Sequence, residues 1–215
     1  MSVSIYNYQS FYGRSESSSP ICPCGYLSLF IDGREQDLSR LAIKGCKRVM
    51  VLQSPDIFFS HLCLKRALHE AQNRNMKHYP FCDGRAPCFI SALKLPQLST
   101  VIITQRASLL EIEDGTSVCT FDPSRLFGAP RSQSDRESLS FIAREKKRYL
   151  RDLRILSTVP TDKNKRRLLE LLRLTRSSCA GYMHLCQKEH LIYRSLAVEE
   201  GEEGFIKKLL IAIYC

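Results

Sequence analysis

The chain has 215 residues, of which 44% are hydrophobic and 25% charged, and 32 Lys and Arg outnumber 22 Asp and Glu to give a net charge of +10. That much apolar content excludes disorder along the whole chain. The apolar runs are far shorter than the roughly 20 residues of a membrane-spanning helix, and Met1 to Tyr6 do not have the basic start and apolar run of a secretory signal. We therefore expect an intracellular protein.

The usage of a few residue types is unusual. Ten cysteines in an intracellular chain are typical of reduced thiols, buried small hydrophobes or metal ligands rather than of disulfides. Leu, Ser and Arg supply 28, 24 and 20 residues, and Trp is absent. Each of these three residues has six codons, a bias that is typical of reading frames compressed into another gene in compact viral genomes. The composition favours a viral accessory protein that antagonises a host defence or silencing pathway.

The amino-terminal part predicts a flexible arm followed by an α+β module. Residues 1–25 are rich in Ser and Tyr and have little clustered apolar surface, so we expect a flexible arm. Beyond it, short apolar runs bounded by turn residues predict buried strands over Tyr26–Ile31 and Arg48–Leu52. The next stretch predicts a helix over Ile57–Gln72. The predicted α+β module covers residues 26–122.

The end of this module predicts a β-hairpin near residues 108–121. Asp114 and Gly115 lie between the apolar runs Leu109–Ile112 and Val118–Phe121. Asp-Gly suits the two positive φ angles of a type I′ hairpin turn. Residues 123–137, which contain Pro123 and Pro130, are then predicted to form a linker.

The remainder, residues 138–215, predicts a basic helical module. Ser134 and Glu137 have the spacing of a capping box, and the residues after them alternate between an apolar and a basic face. Pro160 ends this helix. Further helices are predicted over Lys163–Arg176, Tyr182–Ala197 and Gly204–Tyr214. The predicted fold class is α+β, a small mixed amino-terminal α/β module followed by a basic, mainly helical carboxy-terminal module.

Basic charge is concentrated in this second module. The segment Arg136–Arg176 holds 13 Lys and Arg against 5 Asp and Glu. Cations at intervals of three and four residues on a helix can follow the phosphates of a nucleic acid, although a solvated helix face has the same pattern. We predict nucleic-acid binding, with RNA favoured over DNA and contacts to the backbone. The candidate residues are Arg144, Lys147, Arg148, Arg151, Arg154, Lys163, Lys165, Arg166 and Arg167.

An alternative interpretation is a non-catalytic protein-interaction adaptor with a nuclear import signal. Arg144–Arg148 and Lys163–Arg167 approximate a two-part signal for an import receptor, which predicts a location in the nucleus as well as the cytoplasm. Leu168–Leu172 fits the Leu-x-x-Leu-Leu pattern of helices that dock into a host regulatory protein, but core packing explains the same leucines. The last helix, Phe205–Tyr214, is a second docking candidate. It also suits a membrane surface, the less favoured partner.

A zinc-stabilised binding domain is a further alternative. His69, His78, Cys82 and Cys88 lie close enough in sequence to supply four ligands, but their spacing is irregular and lacks paired Cys-x-x-Cys knuckles. Cys186 and His190 have the i, i+4 spacing of two ligands, yet they share a face with apolar residues, which favours a buried core. The expectation is therefore no cofactor, with zinc as the alternative.

Catalytic signatures are absent from the sequence. It contains no Gly-x-Ser-x-Gly elbow, no phosphate-binding loop and no paired-carboxylate motif. Cysteine, serine and histidine are abundant, so the availability of a nucleophile and a base carries little weight. We predict a protein that binds rather than catalyses.

Overall fold

A computed structural model describes residues 25–31, 34–83, 86–104, 112–127, 132–158, 180–194 and 201–215. The fold class is α+β. Its strands are β1 (Gly25–Ile31), β2 (Arg34–Asp37), β3 (Arg48–Leu52), β4 (Tyr79–Asp83), β5 (Ala86–Leu95), β6 (Thr100–Ile103) and β7 (Ser117–Phe121). Its helices are α1 (Ser39–Ile43), α2 (Ile57–Asn73), α3 (Gln133–Thr158), α4 (described over 180–194) and α5 (Gly201–Tyr214). None of the described helices is long and apolar enough to cross a membrane.

The seven strands form one mixed sheet in the order β2-β1-β4-β5-β6-β3-β7. The strands β4, β5 and β6 are antiparallel neighbours, whereas β3 lies between β6 and β7 and is parallel to both. Val49 of β3 pairs with Val101 on one side and Val118 on the other. Val49 to Leu52 are all buried, as expected for a strand covered on both faces.

Alternate residues of β3 face two different hydrophobic clusters. Met50 and Leu52 pack with α2 and α5, while Val49 and Val51 pack with Ala42 of α1 and its neighbours. This two-residue period follows from the pleat of a strand. The sheet therefore has a large core on its α2 and α5 face and a smaller core on its α1 face.

The last helix, α5, belongs to the larger core. Leu209 and Ile213 are buried among side chains of α2 and the sheet. At the carboxyl end of α5, the Arg48 guanidinium donates hydrogen bonds of 2.9 Å to the carbonyl oxygens of Ala212 and Ile213. A cation is favourable there because the last carbonyls of a helix have no partners within it. The buried residues of α5 therefore lie in the same hydrophobic cluster as those of α2.

Two predictions about local structure are wrong. The strand β7 forms and pairs in parallel with β3, and Ile112 and Glu113 are not in a strand, while the rest of the predicted first strand of the hairpin lies outside the described residues. At the Asp114–Gly115 turn only Gly115 has a positive φ, 82°, whereas a type I′ turn requires two. The N-cap of α3 is Ser132 rather than Ser134, since the Ser132 hydroxyl accepts from the Asp135 N–H at 3.0 Å.

Candidate nucleic-acid interface

Helix α3 carries five of the nine predicted basic residues and has one buried and one exposed face. Ile142 and Tyr149 are buried, and Lys146 is turned toward the protein. These positions follow the 3.6-residue period of an amphipathic helix. The cations that follow the opposite side of the helix are exposed: Arg144, Lys147, Arg148 and Arg151.

Contacts with α4 fix the orientation of α3. The ring of Tyr149 stacks on that of Tyr182, with centroids 4.5 Å apart and planes at 25°. One turn earlier, Lys146 Nζ lies 2.6 Å from Glu189 Oε2 and 5.9 Å from the centroid of the Tyr182 ring. The stack and the ion pair hold the buried face against α4, so the four exposed cations point away from the protein.

The exposed cations are close to one another, and acidic side chains of the described residues neutralise little of their charge. Arg151 Nε lies 3.8 Å from Asp152 Oδ1, but both side chains are well exposed, and ion pairs of this kind contribute little. Arg144, Lys147 and Arg148 make no ion pair within the described residues. With a rise of about 1.5 Å per residue, Arg144 and Arg151 are about 10 Å apart along the helix axis.

Five of the nine predicted cations are outside the description. Arg154 lies in the last part of α3, where the side chains are outside the description, and Lys163, Lys165, Arg166 and Arg167 lie outside the described residues. The same holds for Leu168–Leu172 and for the helix predicted over Lys163–Arg176. The structure therefore brings together four of the nine predicted cations.

Helix α4 is itself attached to the core through a buried polar contact that the sequence did not reveal. His190 Nδ1 donates to Asp56 Oδ2 at 2.7 Å. Asp56 Oδ1 caps α2 by accepting from the N–H groups of Phe58 and Phe59, at 2.9 and 3.0 Å. Both partners are buried. The signal in the sequence was Asp56 at an N-cap position, but its histidine partner is 134 residues away.

An Asp–His pair can orient a general base, so its surroundings matter. His190 Nε2 lies 3.9 Å from Glu202 Oε1, a carboxylate rather than a nucleophile. The nearby thiol of Cys63 is fully buried, and burial, reinforced by Glu202 and Asp56, raises its pKa to about 12. Such a thiol stays protonated and unreactive. Among the described residues, the His190–Asp56 hydrogen bond thus acts as a structural clamp between α4 and α2, with Glu202 of α5 near it.

Three of the four predicted zinc ligands have described side chains, and each of the three has a different environment. His69 is exposed on α2 and lies 3.2 Å from the Asn73 amide, His78 Nδ1 lies 2.8 Å from the carbonyl oxygen of Met76, and Cys82 is buried in β4. The side chain of Cys88 is outside the description. No three His, Cys, Asp or Glu side chains in the described part of the chain are placed to share a metal ion. Zinc binding stays a prediction, which elemental analysis of the purified protein would test.

No protein-family model matches this chain, and no curated protein or solved structure matches it either. The functional assignment therefore depends on the geometry of α3. One further residue of that surface was not predicted: Phe141 is 53% exposed and lies next to the buried Ile142.

Proposed function

We propose that the protein binds nucleic acid through the exposed basic face of α3, with RNA favoured over DNA. The observation that supports this most is the side-by-side exposure of Arg144, Lys147, Arg148 and Arg151 on a helix whose opposite face is held by α4. Phosphates along a strand are the natural partner of cations spaced along an axis. The contacts are to the backbone and carry little sequence information.

The spacing of these cations argues against an ordinary solvated face. Arg144 and Arg148, and likewise Lys147 and Arg151, stand at i, i+4, where like charges destabilise a helix by about 0.2–0.5 kcal/mol per pair, and only Arg148 has an acid, Asp152, four residues later. A solvated helix normally alternates signs at these positions. A bound polyanion would relieve this repulsion, so the arrangement favours a binding surface.

Binding should be strongly salt-dependent. Neutralising four phosphates gives a slope of log K against log salt of about −3 for a single strand, and somewhat steeper for a duplex. This slope distinguishes phosphate contacts from an apolar interface, whose affinity changes little with salt.

The test is a charge reversal with a matched control. We expect Arg144→Glu combined with Arg148→Glu to weaken binding of a fluorescent RNA by at least about tenfold and to reduce the salt slope by about 1 to 2. Lys207→Glu with Lys208→Glu makes the same charge change at exposed positions of α5 and should leave most of the affinity. Equal losses in the two variants would show that net charge, not α3, determines binding.

The broader role that we propose is that of a small regulatory or accessory protein that acts by binding RNA, without catalysis. The Leu, Ser and Arg bias supports a viral accessory protein that antagonises a host defence or silencing pathway. In cells, crosslinking followed by RNA sequencing should recover RNA with the wild-type chain and lose it with R144E/R148E. The two-part basic signal supports entry into the nucleus, which a fluorescent fusion would test.

A further inference from the structure

We propose that Phe141 is a stacking platform for an unpaired base, so that α3 selects single-stranded over duplex nucleic acid. This inference rests on the proposed function of the basic face and names its substrate class. Phe141 lies on α3 one turn before Arg144 and two turns before Arg148, positions that share a helix face. The proposed site is therefore one exposed ring at the start of a row of cations.

The exposure of Phe141 is unusual for its position. Ile142 is 4% exposed and Phe141 is 53% exposed, so the ring is turned away from the core that its neighbour enters. Phe141 makes no ring contact within the described residues. A phenyl group left in water forgoes the gain from burial that other Phe side chains obtain, and a ligand with an aromatic face would recover part of it.

Single exposed apolar residues are common on protein surfaces and need no explanation by themselves. The difference here is the chemistry around the ring. The other large hydrophobic side chains that are exposed in the described residues all lie outside α3, and only one of them, Tyr79, is aromatic. They are Leu41, Tyr79, Val118, Leu191 and Ile211. Phe141 alone among them combines an aromatic face with the cations of α3.

The spacing along the helix fits a single strand. Phe141 precedes Arg144 by about 4.5 Å and Arg148 by about 10 Å along the axis. Consecutive bases of a stacked strand are about 3.4 Å apart, so a base on Phe141 leaves the phosphates of the next two or three nucleotides beside the arginines. Base–aromatic stacking tolerates any base, which agrees with backbone contacts that read no sequence.

A duplex would use the same surface less well. Its bases are paired and stacked inside the helix, so the ring of Phe141 would meet sugars and phosphates rather than a base face. The cations would still contact phosphates. Phe141 should therefore contribute to the affinity for a single strand and contribute little to that for a duplex.

The experiment uses the full chain and three probes: fluorescent 12-nucleotide oligouridylate, oligothymidylate of the same length, and a 12-base-pair RNA duplex. We expect Phe141→Ala to weaken single-strand binding by about five- to a hundredfold and duplex binding by less than about twofold, with the salt slope unchanged because no phosphate contact is lost. Phe141→Leu keeps the apolar bulk without the aromatic face and should lose nearly as much. Leu191→Ala, at an exposed position of α4, is the matched control.

Phe141→Trp adds a spectroscopic readout, because the chain contains no other tryptophan. Its fluorescence should be quenched by the single strands and unaffected by the duplex, and its affinity should be at least that of wild type. Equal quenching by RNA and DNA strands would assign the site to stacking alone, while stronger quenching by RNA would add a contact to the 2′-hydroxyl. Both results support the proposal.

Other outcomes overturn it, and they are distinguishable. If F141A binds all probes as wild type does while R144E/R148E does not, the stacking proposal fails and the basic face stands. If F141A loses duplex and single strand equally, the selectivity fails. If wild type binds none of the probes near physiological salt, the proposed function fails together with this inference, and a protein partner of the basic face takes its place.

Discussion

The imidazole of His190 lies 2.7 Å from the carboxylate of Asp56, and this buried contact joins α4 to the start of α2. The same carboxylate caps α2, so one side chain both caps one helix and accepts a hydrogen bond from another. Because α4 in turn holds α3 through Tyr182 and Glu189, the basic face is positioned by a chain of contacts that begins in the core.

Replacing Asp56 should reveal the strength of this attachment. Asp56→Ala removes the acceptor of two backbone N–H groups and the partner of a buried imidazole, so we expect the free energy of unfolding to fall by about 3 kcal/mol. Asp56→Asn keeps an acceptor for the N–H groups and should cost about half as much. Urea denaturation measures both, with Asp114→Ala in an exposed turn as control. Equal losses in D56A and D114A would contradict the clamp.

Stability should fall in mild acid because of His61. Its Nδ1 accepts from the Ile90 N–H at 3.0 Å, and burial, with a smaller contribution from Lys65, lowers its pKa from 6.5 to about 4. The unfolded chain then binds this proton more readily, so the contribution of neutral His61 is complete above pH 6.5 and is lost as the pH falls toward 4. Between pH 7.5 and 5 the loss is about 2 kcal/mol.

The variant His61→Gln isolates this effect. The glutamine carbonyl can accept from the Ile90 N–H but does not titrate, so the loss of unfolding free energy between pH 7.5 and 5 should shrink by about 2 kcal/mol relative to wild type. His69→Gln, at an exposed position of the same helix, should keep the wild-type dependence. An unchanged pH dependence in H61Q would mean that His61 is not the group responsible.

The cysteines should differ in their reactivity. Burial, with the carboxylates nearby, raises the pKa values of Cys63 and Cys82 to about 12, whereas Cys215 is exposed. Since the thiolate is the reactive form, iodoacetamide at pH 7.5 should label Cys215 within minutes and leave Cys63 and Cys82 largely unmodified. Peptide mass spectrometry in native buffer and in urea gives the comparison. Fast labelling of Cys63 in native buffer would contradict its placement in the core.

The packing of α5 can be tested by two alanine substitutions on the same helix. Leu209 is fully buried and Ile211 is 61% exposed. Leu209→Ala should lower the free energy of unfolding by about 2–5 kcal/mol, because it creates a cavity in the core. Ile211→Ala should change it by less than about 0.5 kcal/mol. A small effect of Leu209→Ala would instead favour the alternative that α5 docks to a partner.

Local sequence patterns predicted those strands and helices that depend on residues close together in the chain. The apolar run Arg48–Leu52 is strand β3 with the same bounds, and Ile57–Gln72 became α2 with one more residue. The strands β4 and β5 were not predicted, because β4 pairs with β1 and β5, and a local pattern does not indicate these partners. The parallel pairing of β7 with β3 depends on contacts between residues about 70 positions apart, which no local pattern encodes.

In the candidate site, too, local features could be predicted and long-range contacts could not. The basic face of α3 was visible as a 3.6-residue period, whereas the inward position of Lys146 depends on Glu189, 43 residues later. The attachment of α4 to Asp56 likewise joins distant parts of the chain. Sequence periodicity therefore predicted which residues are basic and exposed, but not what holds them in place.

Two cations of α3, two residues apart, should behave in opposite ways. Lys146 is mostly buried and paired with Glu189 at 2.6 Å, while Arg148 is exposed. Lys146→Met leaves the carboxylate of Glu189 without its partner, so we expect a loss of about 2–3 kcal/mol in stability, partly restored by adding Glu189→Gln. Its affinity for RNA and its salt slope should remain near wild type.

Arg148→Met should do the reverse. Its stability should change by less than about 0.5 kcal/mol, because the guanidinium makes no ion pair in the described part of the chain. Its affinity should fall and its salt slope should decrease by about 0.7, the value for one phosphate of a single strand. Fluorescence anisotropy across a salt series, paired with urea denaturation of the same two variants, separates the roles. A reduced slope in K146M would show that the inward cation also contacts phosphate and that α3 rotates when it binds.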